Sequence, residues 1–236
     1  MRWTIGLVLL CALLVAVTDS AIAKSPCGDA GRRAERFGDL FVADRGPIRK
    51  WSLPIKVFVT GEEDHVAKAQ ALFRYYSENY GIPIVFVEDG MDIYLAITNN
   101  LYATLLEHGE VIFTGFYSDI PELYELLKES AVKDKGYISK NRFKGPRSIA
   151  SVLVVGTDFY EENDVEAVLN SLIVNTLFPG IRRKTFDNGE SIFFKARPAG
   201  EIDDCTSDLM KQFYDRRLRV GMDWLEARRI IVGDSI

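Results

Sequence analysis

Histidine and cysteine are scarce in this chain, and each scarcity excludes chemistry. Only His65 and His108 occur among 236 residues, neither in an H-E-x-x-H pattern. The common zinc-hydrolase arrangement, two histidines one helical turn apart with a glutamate base, is therefore missing. No G-x-S-x-G elbow is present, and a Ser-His-Asp triad would have to recruit one of two histidines from unrelated contexts. Excess positive charge is lacking too. The 29 Lys and Arg stand against 34 Asp and Glu, a balance that argues against general nucleic-acid binding. Past the amino terminus no apolar run approaches the roughly 20 residues that a spanning helix needs. No internal repeat, low-complexity tract or linker divides the chain.

What is present begins with an export signal. Arg2 gives a positive end, residues 5–17 are almost wholly apolar, Thr18-Asp19-Ser20 turns polar, and Ala21-Ile22-Ala23 matches an A-x-A cleavage site. This pattern predicts a signal peptide over residues 1–23. Lys24-Ser25-Pro26 before Cys27 is unlike the small apolar residues that precede a lipid-bearing cysteine. The expected location is periplasmic or secreted, with no stable membrane insertion after cleavage. Cleavage removes Arg2 and Asp19, leaving 28 basic and 33 acidic residues, so the net charge stays at −5. Of the three cysteines, Cys11 departs with the signal. Cys27 and Cys205 remain in an oxidising compartment, where a disulfide is the default and a redox pair or free thiols are the alternatives.

Periodicity then sketches a single α+β domain over residues 49–236, preceded by an N-terminal segment, residues 24–48. A short helix is predicted over 34–42 with Phe37, Leu40 and Phe41 inward, a strand over 54–60, and a helix over 62–80 that Gly81 stops. Strands follow at 82–87 and 91–98, a helix at 101–107, a short strand at 111–116, and a helix at 121–132. Residues 133–147 are basic, contain Gly136, Gly145 and Pro146, and read as a loop. Residues 149–155 are apolar at nearly every position, as in a strand covered on both faces. The segment 163–180 carries apolar residues over far more than one stripe, so it reads as a central buried helix capped by Asn163 with Glu166 reaching back. An Asp187-Asn188-Gly189 turn, a strand at 191–194 and helices at 203–214 and 222–230 complete the reading.

Candidate chemistry is sparse. Glu107-His108-Gly109-Glu110 offers ligand types but reads as a solvated turn beside a glycine, and His65 as a surface residue. Lys140, Arg142, Lys144 and Arg147, with Arg182-Arg183-Lys184, offer a basic face for an anionic lipid or an acidic partner, or simply solvated loops. The most motif-like stretch is 214–222, with Tyr214, Asp215, Arg217, Gly221 and Met222. There Asp215 is expected to bond Arg217 or the turn amides, while Leu218 and Met222 pack inward and fix how the last helix docks; a ligand-contacting role is the alternative.

That stretch, Tyr214-Asp215-Arg216-Arg217-Leu218-Arg219-Val220-Gly221-Met222, together with Glu226-Ala227, Ser191-Ile192-Phe193 and Arg49-Lys50-Trp51, resembles a known pattern. It is similar to the Y-D-P-R-L-x-P-G-M and E-A signature of a proteobacterial family of exported proteins and lipoproteins, number twenty-nine twenty-seven among the domains of unknown function. The similarity spans residues 49–229. It implies a zinc-peptidase-like fold, in which a buried helix after the sheet presents metal ligands. The family's helix carries a Glu-Glu pair and a Gln and ends in Leu-Gly. Here Ser171, Leu172 and Asn175 stand in those places, before Leu177-Phe178, and Arg216 and Val220 replace two prolines. The expectation is thus a small mixed sheet with a buried central helix, zincin-like but without a recognisable metal site and with no cofactor. Its expected role is a non-catalytic binding or structural-support protein of the bacterial envelope, serving an envelope protein or ligand. The alternative is a peptidase-like hydrolase with an atypical site.

Overall fold

A computed structural model describes residues 27–42, 45–113, 136–179, 181 and 202–233. The signal peptide, the helix expected at 121–132, the Arg182-Arg183-Lys184 run, the turn at 187–189 and the strand at 191–194 lie outside the described residues.

Helices and a mixed sheet are both present. The strands are β1 Lys50–Trp51, β2 Ile55–Thr60, β3 Ile84–Phe86, β4 Ile93–Thr98, β5 Tyr137–Lys144 and β6 Arg147–Gly156. They lie in the order β1-β6-β4-β2-β3, all parallel, with β5 added antiparallel along β6. Val57 pairs with Ile93, Leu95 with Leu153, and Ile97 with Val155. This register puts one apolar set on a common face, and a slip of one residue would send the whole set to the other side. Residues 151–156 are all buried, as expected for a strand covered twice.

The larger core lies on that face. Helices α1 Ala30–Phe41, α2 Glu63–Tyr80, α4 Glu162–Leu177, α5 Asp204–Phe213 and α6 Trp224–Val232 supply it. Helix α3 Leu101–Phe113 covers the opposite face, where Leu101 and Leu105 meet Ala96, Ile138, Val152 and Val154. Short polar side chains start α1, α5 and α6. Asp29, Asp203 and Asp223 accept from the N–H of Arg32, Thr206 and Glu226, each at 2.9 Å, and each satisfies a first-turn donor. Gly81 ends α2 at φ +65°, a conformation that costs glycine nothing. The Cys27–Cys205 disulfide joins the beginnings of α1 and α5, with Cα atoms 4.7 Å apart.

Four expectations need correction. Helix α1 begins at Ala30 rather than 34, because Asp29 caps it earlier. Helix α3 runs through Gly109 to Phe113, replacing both the turn at 107–110 and the described part of the strand expected at 111–116. Asn100 starts it by accepting from Ala103 N–H at 2.9 Å, and burial of Leu101 and Leu105 outweighs the roughly 1 kcal/mol that one glycine costs a helix. The described part of the loop expected at 133–147 is mostly a strand. Its charges at Lys140, Arg142 and Lys144 repeat every second residue, a β period, and Gly145-Pro146 closes a hairpin onto β6 with Gly145 at φ +59°. Finally, α4 starts after Glu161, whose side chain makes no cap bond. Asn163 therefore lies inside the first turn and not at the cap position. The Glu161 carbonyl takes the N–H of Asp164 at 2.8 Å, so the cap position lies two residues earlier than expected.

Candidate functional site

Helix α4 is the centre of the larger core, and its carboxy-terminal end is where the motif residues meet it. The last carbonyls of any helix lack an intrahelical donor. Here Trp51 Nε1 donates to Thr176 O at 2.7 Å, and the Tyr214 hydroxyl donates to Leu177 O. Residues far apart in the chain thus close one helix end. Tyr214 is 7% exposed, and burial pushes its hydroxyl pKa well above the ordinary range. Tyr214→Phe leaves a buried carbonyl without its donor and is expected to cost about 1–2 kcal/mol, read as a lower urea midpoint with an unchanged slope.

Asp215 begins the turn after α5. Its Oδ1 accepts from Arg217 N–H at 2.9 Å, and the Arg217 guanidinium grips both oxygens, with Nη2 at 2.7 Å from Oδ2. That fork holds the Asp215 carboxyl below the usual carboxylate range. Leu218 and Met222 are buried in the core. Gly221 N–H donates to Ile48 O, and Ile48 N–H to Met222 O, both at 2.9 Å. Gly221 has φ +79°, and a Cβ there would stand 3.0 Å from Pro146 Cγ, so both conformation and space call for glycine.

Lys50 was not singled out by its sequence context, since one charge in a basic junction carries no period. In the fold it is 5% exposed. Its Nζ donates to Leu218 O at 2.7 Å and lies 5.2 Å from the Phe213 ring and 5.4 Å from that of Tyr214. Burial pushes its amine down from 10.5 to about 8, with the Asp215 charge opposing. The folded protein therefore sheds this proton before the unfolded chain does, and between those values stability rises with pH. Tyrosines act the other way. Burial pushes Tyr80 and Tyr160 up to about 12, so above about pH 10 the unfolded chain ionises first and stability falls. The melting temperature is expected to climb by about 2–4 °C between pH 7 and 9, equivalent to about 1 kcal/mol. In Lys50→Met the climb should vanish, and a thermal scan series across this range checks it.

The other candidates stay apart. His65, expected at the surface, is half-buried: its side chain is 15% exposed, with Nε2 3.9 Å from Glu62. His108 is exposed on α3. Among the described residues no group of three or more His, Cys, Asp and Glu could hold a metal ion. Of the α4 positions, Leu172 is buried in the core and Asn175 Nδ2 donates to Ser171 O at 2.7 Å. Neither presents a ligand to a cleft.

What does open to solvent is a groove of about 730 Å³ between the ends of α2, α5 and α6, with Tyr214, Asp215, Arg216 and Arg217 on one wall. The motif thus turns Leu218 and Met222 into the core and Asp215, Arg216 and Arg217 toward this groove. Comparison with protein families, with curated proteins and with solved structures returns no match.

Proposed function

We propose that the protein is an exported, non-catalytic binding or structural-support protein of the bacterial envelope. The observation that carries this reading is how the motif at 214–222 is used. Tyr214 closes α4, Asp215 holds its own turn and Arg217, Gly221 meets Ile48 and Pro146, and Leu218 and Met222 are core. The polar groups of the motif are occupied in closing the end of α4 and in holding the turn after α5. Beside them lies an open groove rather than an enclosed cleft, which suits contact with a macromolecule better than conversion of a small substrate. The disulfide and the lack of a membrane-crossing helix among the described residues are compatible with life outside the cytoplasm.

The similarity to the exported family and its zincin-like fold belongs to the same proposal, and it supplies the competing reading of a peptidase-like hydrolase. Metal analysis and a protease assay on protein purified without chelator separate the two. The binding reading expects substoichiometric zinc and no cleavage of a casein substrate. Stoichiometric zinc with chelator-sensitive cleavage would establish the hydrolase instead.

A further inference from the structure

The groove beside Asp215 has a charge opposite to that of the whole molecule. Among the described residues Arg33, Lys211, Arg216 and Arg217 line it, with Asp208 and Asp215 as counter-charges, in a chain whose net charge is −5. Both carboxylates are already engaged, Asp208 with Arg33 at 3.0 Å and Asp215 with Arg217 at 2.7 Å. Lys211 and Arg216 have no ion-pair partner among the described residues. Beneath them the buried Lys50 adds a further positive charge next to Asp215. Half-buried Ile230 and Val232, at the end of α6, give the same groove apolar wall.

Such a surface selects an anion with an apolar component. Its shape narrows the choice. A small anion is normally enclosed on most sides, and this groove is open. A flat bilayer cannot press into a concavity between three helix ends. An extended chain can lie along it, placing carboxylates against Lys211 and Arg216 and apolar side chains against Ile230. We propose that this groove docks an acidic, partly apolar peptide segment of an envelope partner. The inference rests on the binding-protein reading given above and names its ligand class.

Fluorescence anisotropy of a labelled peptide of alternating glutamate and leucine, titrated with the disulfide-intact protein at low ionic strength, tests it. Binding is expected for this peptide and not for its glutamine counterpart, with weakening as salt rises. The double reversal Lys211→Glu with Arg216→Glu should weaken binding about tenfold or more. Both residues are exposed, and an unchanged circular dichroism spectrum confirms that the variant is folded. Lys140→Glu with Arg142→Glu on β5 should leave affinity as it was. Equal affinity for the two peptides, no binding, or an unaffected Lys211/Arg216 variant would overturn the proposal, as would retention on phosphatidylglycerol vesicles without peptide binding. A peptide bound and then cleaved would remove the non-catalytic reading while leaving the groove's ligand class in place.

Discussion

Replacing Cys27 and Cys205 by serine lowers the unfolding free energy by about 4 kcal/mol. The bridged residues are 178 positions apart, and closing a loop of that length removes more freedom from the unfolded chain than almost any other bridge in a domain of this size could. The folded state also depends on it locally, since the bridge holds the starting turns of α1 and α5 together. Between those helices Phe37 and Phe213 stack with ring centroids 6.2 Å apart, and Arg33 reaches Asp208. A urea titration of the oxidised protein, the reduced protein and the double serine variant reads the effect. Reduced and serine forms should coincide, well below the oxidised midpoint. Coincidence of all three curves would mean that the unfolded chain is already compact enough for the bridge to be thermodynamically silent.

Phe178→Ala should cost nearly as much, about 3–5 kcal/mol. Phe178 is the residue at which α4 stops, and it is 0% exposed. Its ring lies 5.8 Å from Phe41, 6.2 Å from Tyr80, and 5.5 Å from both Phe213 and Tyr214. Those neighbours come from α1, α2 and α5 and the turn beyond α5, so a cavity here loosens several helix contacts at once and cannot be filled by one moving part. Phe178→Leu, which keeps most of the volume, should lose less than half as much. Because Tyr214 touches this ring and also closes the end of α4, Phe178→Ala and Tyr214→Phe should combine non-additively in a double-mutant cycle. Simple additivity would show that the aromatic cluster and the helix-end bond act independently.

These two effects come from different levels of information. The cysteine pairing was legible because two thiols remained once the signal was set aside, and export favours their oxidation. The two last helices, the fully apolar strand through 149–155 and the all-round apolar helix were legible for a related reason. Each follows from neighbouring side chains and their period, and local rules act over a few residues. The groove was legible only as its motif wall. Arg33 gave no signal, because nothing near it in sequence says that α1 ends up beside 214–217, and Lys211 reads locally as an ordinary exposed helix charge.

The misses share a cause. Gly109 reads locally as a break, yet α3 continues because Leu101 and Leu105 are buried against a sheet face assembled from strands distant in sequence. The charges of β5 had the period of a strand, but only pairing with β6 made that period count. Lys50 is an ordinary surface type until β1 pairs with β6 and the turn after α5 folds over it. By itself, then, the sequence determined which segments are apolar, where several helices begin and which cysteines meet. Tertiary structure alone decided strand order, the burial of Lys50, the closing of α4 by Trp51 and Tyr214, and the gathering of four cations around one groove. Those features depend on free energy exchanged between residues far apart in the chain, 37 positions for Tyr214 and Leu177 and 168 for Lys50 and Leu218, which no local pattern records.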